Sequence, residues 1–213
     1  MNQTAEHLPL TIRRAATLVP TLWKNGGGTT CELAVCPDGA SLDDFIWRAS
    51  MAEVAADGDF SFFPGVDRTI VLLGGAGMEL DLTPPADAPA HHALHEPFAP
   101  FDFSGETSLK ATLVDGPTHD FNFMVRRDAG VGEVCVWKGP GAFPLPEDLV
   151  LLFVVRGIVE LHGADASNNT PIALDPCDTV KFNHSAVTQG LSVALPANAV
   201  ALAVKLSMRP SAN

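Results

Sequence analysis

Apolar and polar positions alternate along most of this chain. A period of two is far commoner than one of 3.6, and Gly or Pro interrupts the pattern about every eight to twelve residues. That pattern predicts short β-strands and little helix. Leu8 to Ile12 and Glu32 to Cys36 read as strands. Phe45 to Met51 alternates cleanly, with Phe45, Trp47, Ala49 and Met51 on one face and Arg48 and Ser50 on the other. Short helical turns are expected only at Ala52 to Ala56 and around Leu94.

A longer pattern occurs twice. Phe60-Ser61-Phe62-Phe63-Pro64-Gly65-Val66-Asp67-Arg68 leads into the apolar strand Thr69 to Leu73, a Gly74-Gly75-Ala76-Gly77 turn and Met78-Glu79-Leu80. Phe143 to Asp148 leads in the same way into Leu149 to Val155, a turn at Arg156-Gly157 and Val159-Glu160-Leu161. The copies lie about eighty residues apart, and only two copies imply a pair of similar β-units instead of a solenoid. Thr83 to Pro97, rich in Pro and Ala and carrying His91, His92 and His95, reads as a surface loop between them.

With 213 residues, 46% of them hydrophobic, the chain can bury a real core. A net charge of −12 and an isoelectric point near 4.8 argue against nucleic acid or an anionic membrane as partner, since both select basic surfaces. Cys31, Cys36, Cys135 and Cys177 have neither the paired spacing of a zinc site nor the density of a disulfide scaffold, so they are expected as reduced thiols. The first twenty residues lack a basic stretch followed by an apolar run, and no segment is long enough to span a bilayer, which makes the cytoplasm the expected location.

The chemistry gathers at few places. Trp23-Lys24-Asn25-Gly26-Gly27-Gly28-Thr29-Thr30 sets an aromatic plane, a cation and an amide against three glycines, whose uncovered N–H groups suit a small anion. It is not a phosphate loop, because Lys24 precedes the glycines, and the dinucleotide fingerprint fails for want of a third glycine. A plain turn between strands with Trp23 in the core is the alternative. Asp120-Phe121-Asn122-Phe123-Met124-Val125-Arg126 alternates too, with its phenyl face as core and Asp120, Asn122, Met124 and Arg126 either solvent-exposed or lining a polar cavity. Lys24, Asn25, Arg48, Arg68, Asp120 and Asn122, offered by three strands and one glycine loop, together favour an anion pocket. A buried Arg forked onto a carboxylate makes charge-assisted bonds of about 1.5–3 kcal/mol each. His91-His92-x-x-His95-Glu96 lacks the Glu placement of a zinc protease helix, and no nucleophile elbow is visible.

Five motifs in order, Trp23 to Thr29, Trp47-Arg48-x-Ser50, Phe60 to Arg68, Pro97-Phe98 with Phe101, and Asp120 to Arg127, resemble the HutD/Ves family over about residues 10 to 128. Leu174-x-Pro176-x-Asp178-Thr179-Val180 in the second half looks like a degenerate cupin strand pair. The resemblance implies an all-β bicupin, two cupin-type barrels in one chain: residues 8–128 holding the ligand pocket, and 129–213 forming a second, degenerate barrel. It also implies no metal in either barrel, because the stretches matching the usual ligand motif, Phe60 to Arg68 and Phe143 to Asp148, contain no histidine.

Members of that family are linked to bacterial histidine utilisation as a brake or governor, without an established enzymatic activity. The expectation is therefore a cytoplasmic regulator that binds a small carboxylate, urocanate or N-formylglutamate, with no cofactor. Lys24, Arg48 and Arg68 would hold the anion, Asn25, Ser50 and Asn122 orient it, Asp120 accept an N–H, and Trp23 with Phe62 form walls. One alternative is a metal-independent cupin isomerase or hydrolase with Asp120 as general base and Lys24 as electrophilic partner. Another is an interaction module docking a partner through the edge of Leu149 to Val155. Assignment to the HutD or the Ves branch, and homodimerisation, stay open.

Overall fold

The computed structural model describes residues 10–83, 90–163, 170–182 and 190–209. Its regular structure is nearly all extended. The strand β1 (Leu10–Arg13) comes first, followed by a 3-10 turn at Ala15–Thr17. Next come β2 (Thr21–Leu22), β3 (Gly28–Cys36), β4 (Trp47–Val54), β5 (Gly58–Asp59), β6 (Val66–Gly74) and β7 (Met78–Thr83). The chain continues through β8 (His91–Leu94), β9 (Pro100–Ser104), β10 (Ser108–Leu113), β11 (Thr118–Arg126) and β12 (Gly130–Lys138). It ends with β13 (Gly141–Pro144), β14 (Leu149–Arg156), β15 (Val159–His162), β16 (Ile172–Leu174), β17 (Thr179–Phe182), β18 (Ser192–Leu195) and β19 (Val200–Met208).

These strands fall into two units. One takes Leu18–Val134 and resumes at Ser207, and the other takes the chain up to Thr17 together with Cys135–Leu206. In the first, a six-stranded sheet of order β2-β3-β4-β11-β6-β9 faces a four-stranded sheet of order β5-β10-β7-β8. In the second, a five-stranded sheet of order β1-β17-β14-β19-β12 accompanies a four-stranded sheet of order β13-β18-β15-β16. Adding eight to each strand number of β4-β11-β6-β9 and β5-β10-β7-β8 gives β12-β19-β14-β17 and β13-β18-β15-β16. The repeat seen in the sequence is thus a repeat of topology. Closed barrels were expected, but among the described residues no sheet closes on itself.

Each repeat turns on glycine where the chain leaves the larger sheet for the smaller one. Gly77 has φ +92°, and a Cβ there would stand 2.2 Å from the carbonyl oxygen of Leu94. Gly157 does the same job between β14 and β15, with φ +77°. Apolar side chains from both sheets then fill the space between them. Val54, Ile70, Leu72 and Phe103 of the six-stranded sheet meet Met78, Leu80, Leu82, Leu94, Leu109 and Ala111 of its partner. In the second unit Leu152, Val154, Val180, Ala201 and Ala203 meet Val159, Leu161, Leu174, Val193 and Leu195.

Several expectations change. The segment from residue 8 was assigned to the first unit, yet β1 pairs antiparallel with β17, from Leu10 opposite Phe182 to Arg13 opposite Thr179. Asp178 explains the exchange: its carboxylate, 2% exposed, accepts from Arg14 Nη1 at 2.6 Å and from the Ala15 N–H at 2.8 Å. The division between units falls inside β12, at Val134/Cys135, instead of after residue 128. Ala52 to Val54 is strand, not helical turn, and Leu94 ends β8. The stretch read as a histidine-bearing loop contributes that strand, paired with β7 from Met78 opposite Leu94 to Asp81 opposite His91; residues 84–89 lie outside the described residues. Leu149 to Val155 is no edge, because β14 lies between β17 and β19.

Candidate functional site

The polar face foreseen on three strands points between the sheets of the first unit. In β11, Asp120, Asn122 and Met124 pair with Ala52, Ser50 and Arg48 of β4 on one side and with Leu72, Ile70 and Arg68 of β6 on the other. Side chains of directly paired residues share a face. Arg48, Ser50, Arg68, Asp120 and Asn122 therefore make one belt. It lies between two apolar clusters, that of Ile70 and Leu72 and that of Val35, Phe45, Val66 and Met124. The belt is buried: Ser50 is 2% exposed, Arg68 7%, Asp120 2% and Asn122 8%.

Arg68 is its centre. Its Nε and Nη2 donate to Oδ1 of Asn122 at 3.3 and 3.1 Å, and its Nη1 donates to the carbonyl oxygen of Ser61 at 3.2 Å. The guanidinium carbon stands 4.8 Å from the ring centre of Phe103 and 5.5 Å from those of Phe60 and Phe63. All its close partners are thus neutral. Arg48 is half satisfied by contrast, donating from Nε to Glu32 at 3.1 Å and from Nη1 to Ser50 Oγ at 3.4 Å. Burial lowers the pKa of Arg68 to about 10; the Asp120 charge works against this and the Arg48 charge adds to it. Burial likewise pushes Asp120 up to about 7, with Arg68 opposing. Oδ2 of Asp120 has no hydrogen-bond partner among the described residues. A belt with two cations and a half-ionised carboxylate can receive a small anion and present it with a hydrogen-bonding partner.

The glycine triplet does something else. Trp23 N–H donates to the Gly28 carbonyl at 2.9 Å and Gly26 N–H to the Trp23 carbonyl at 3.0 Å, closing the turn between β2 and β3. Gly28 is required because a Cβ would lie 2.3 Å from the Glu53 carbonyl oxygen and 3.0 Å from the indole. Trp23 packs against the core and donates from Nε1 to Thr30 Oγ1 at 2.7 Å. Lys24 and Asn25 are exposed in the turn, and Asn25 Oδ1 accepts from the Gly27 N–H. The structure therefore leaves both outside the belt. Phe62 is 60% exposed and gives way as a wall to Phe60 and Phe63. Residues 60–63 are not strand, so alternation could not tell which rings turn inward.

Other side chains near the belt serve the fold. Asp67, next to Arg68 in the chain, belongs to Arg127, whose guanidinium is 2.8 Å away. Arg127 also holds Glu106, and that pairing, then the Ser104 hydroxyl and the Gly65 N–H, keeps the Glu106 carboxyl well below its ordinary range. This clasp fixes the end of the Phe60–Gly65 segment over Arg68. Arg126 caps the carbonyls of Phe45 and Asp43. A cavity of about 460 Å³ is lined by residues that include Ser61, Phe62, Phe63 and Arg126. A second, of about 330 Å³, is lined by Gly65, Arg126, Arg127, Asp128 and Arg209.

The histidines in and after β8 have partners of their own, His91 and His95 on the outer face and His92, opposite Leu80, on the inner one. His91 sits 2.9 Å from Glu79 and 3.1 Å from Asp81, His95 sits 2.9 Å from Glu79, and His92 stacks on Phe101 with centroids 3.7 Å apart. Among the described residues no three His, Cys, Asp or Glu side chains are grouped to hold a metal ion. Sequence reasoning missed Glu32, Thr30, Phe60, Phe63 and Phe103. The signal for Glu32 was its place in a strand beside β4, opposite Ser50, where a bulge between Glu32 and Ala34 shifts the register.

Comparison with known proteins adds a family. The family model for HutD matches residues 15–202. Protein Ves of Citrobacter koseri is 43% identical over 108 residues, which are 50% of this chain and 53% of that protein, so the match spans about half the length of this curated relative. A conserved protein of unknown function from Pseudomonas aeruginosa PAO1 superposes with a TM-score of 0.78 at 30% identity, covering 93% of this chain and 98% of that one. HutD from Pseudomonas fluorescens SBW25 gives 0.74 at 29% identity, covering 94% and 100%. A cupin 2 conserved barrel domain protein from Leptotrichia buccalis, at 8% identity and a TM-score of 0.52 over 84% and 89%, is alike in fold alone.

Proposed function

Because this chain belongs to the HutD family, we propose that its first unit binds a small carboxylate at the Arg48–Arg68 belt, and that the bound state moderates histidine catabolism in the cytoplasm. Urocanate and N-formylglutamate are the ligands this reading favours, since both are carboxylate intermediates of histidine utilisation, the process that the resemblance to HutD implies. The second unit is then the degenerate copy of a bicupin, its facing sheets packed with aliphatic side chains where the first unit keeps its belt.

The observation that carries the reading is Arg68. A guanidinium held between three phenyl rings and given a neutral amide oxygen is a buried cation without a full counter-charge. Buried charges are normally paired or bind something. A carboxylate entering between Arg48 and Arg68 would supply that charge, the aromatic side chains would cover a flat ring, and Asp120 could accept an N–H such as that of an imidazole. Titration calorimetry of the full chain tests this. Urocanate or N-formylglutamate should release or absorb heat at millimolar concentration or below, and Arg48→Ala should weaken binding at least tenfold; no heat, or unchanged affinity, overturns it.

One observation favours a second reading. A buried carboxyl raised to about 7 is suited to a general base, so a metal-independent isomerase or hydrolase acting on a small acid stays in view. Lys24, its intended electrophile, is exposed in the β2–β3 turn, which leaves Arg48 or Arg68 for that role. Loss of urocanate absorbance on incubation with the protein, abolished in Asp120→Asn, would establish turnover.

A further inference from the structure

We propose that the belt takes up its anion together with one proton, and that Asp120 is where the proton resides. This deepens the carboxylate-binding reading of the same site and rests on it. The geometry supplies two reasons. First, β4 and β6 flank β11, so Arg48 and Arg68 start about 10 Å apart on the sheet and lean over the same strip that Asp120 occupies. Glu32, 37% exposed and 3.1 Å from Arg48, balances that cation at the edge of the belt, which leaves buried Arg68 and an ionised Asp120 to balance each other. A monoanion added beside them would leave the buried part net negative where water is scarce, which burial penalises heavily. With Asp120 neutral the same side chains carry +1, which a single carboxylate cancels.

Second, Oδ2 of Asp120 is an unpartnered atom in a residue only 2% exposed. An incoming carboxylate offers what it lacks. A proton drawn from solvent onto Oδ2 makes an O–H donor, and an O–H facing a carboxylate oxygen forms one of the shorter, stronger hydrogen bonds. No bond but that O–H is made, and nothing leaves. The free protein is poised for this, since burial already holds Asp120 near neutral pH against the pull of Arg68.

The charged groups around Asp120 are few. From β6 comes Arg68, from β4 Arg48 and from β3 Glu32, while the facing β7 and β10 present Leu80, Leu82, Leu109 and Ala111. His119, its neighbour in β11, is half-exposed and paired with Glu53 at 3.2 Å. His91 in β8 and His95 just after it are held by Glu79 and Asp81, which flank Leu80 on the opposite face of β7, whereas His92, paired with Leu80, shares the inner face and stacks on Phe101 there.

The test is calorimetry of the full chain with urocanate from pH 7 to 9, in phosphate and in Tris, whose different protonation enthalpies count the protons exchanged. N-formylglutamate, a dianion across the whole range with no imidazole, repeats the series as a control for protons carried by the ligand ring, and its second carboxylate makes uptake of at least one proton the expectation. The expected result is net uptake approaching one proton per ligand at pH 8 and an affinity that falls as pH rises, approaching tenfold per unit. Asp120→Asn should show neither. Because the wild-type proton count stands without any variant, a misfolded Asp120→Asn does not spare the idea. Binding with no proton uptake overturns it, and so does uptake that persists in a folded Asp120→Asn. If neither carboxylate binds at pH 7, the carboxylate reading itself fails, and this inference with it.

Discussion

Arg68 and Asn122 meet through a single oxygen: Nε and Nη2 of the guanidinium both donate to Oδ1 of the amide, at 3.3 and 3.1 Å. An amide can satisfy geometry without neutralising charge, so this contact holds the cation ready and leaves its charge available. Asn122→Asp separates the two roles. It should fill the site with its own carboxylate, keep or raise stability in urea unfolding, and abolish carboxylate binding. Asn122→Ala should instead lose about 1–3 kcal/mol, as a buried charged donor loses its acceptor.

The rings around Arg68 differ from the ring beside them. Phe103 is 9% exposed and stacks closest to the guanidinium, whereas Phe62, two residues from Phe60, is 60% exposed. Phe103→Ala should cost about 3–5 kcal/mol by denaturant unfolding, through lost burial and lost cation–π contact. Phe62→Ala should stay within about 0.5 kcal/mol. Equal losses would mean that the Phe60–Gly65 segment packs otherwise.

How much of this could be read from the sequence depended on whether a residue lies on a strand. Alternation put Arg48 with Ser50, and Asp120 with Asn122, on one face of their strands, but whether that face met solvent or a cavity stayed open until the pairing of β4, β11 and β6 and the facing sheet were seen. Lys24, Asn25 and Phe62 sit in turns or irregular segments, where spacing carries no such rule. The run Leu149 to Val155 was misread as an edge, although an unbroken apolar run is the mark of a strand covered on both faces. The pairing of β1 with β17 joins residues far apart in the chain, and no local pattern encodes it. The duplication was visible as a repeated strand, glycine turn and strand, but the matching order of eight strands needed the fold.

Asp120 gives the unliganded protein a pH dependence whose sign follows from its raised pKa. Unfolded, the carboxyl titrates near 4; folded, at about 7. Its contribution to stability is therefore intact below pH 4 and lost as pH rises through 7, by up to a few kcal/mol. Urea unfolding at pH 5.5, 7 and 8.5 should show stability falling toward the alkaline end. Asp120→Asn should flatten the fall and be the more stable protein at pH 8.5; a parallel profile would remove Asp120 as the cause.

Asp178 has the opposite sign. Burial alone would raise its pKa, but the N–H groups of Ala15 and Asp175 and the Arg14 guanidinium outweigh it and bring the pKa below its ordinary value. The clasp on β1 is present above about pH 4 and weakens as pH falls through the folded pKa. Asp178→Ala should therefore raise amide exchange in Leu10–Arg13 at pH 7 and leave the strands of the first unit protected. Unchanged exchange in β1 would show that strand pairing alone holds it.

The most direct test of a carboxylate site in the first unit is a crystal structure of the full chain soaked with urocanate. The account predicts ligand density between the two sheets, its carboxylate within hydrogen-bond distance of Arg48 and Arg68 and its ring among Phe60, Phe63 and Phe103. Density at the outer cavity of Arg126, Arg127 and Arg209, with the belt unchanged, would contradict it.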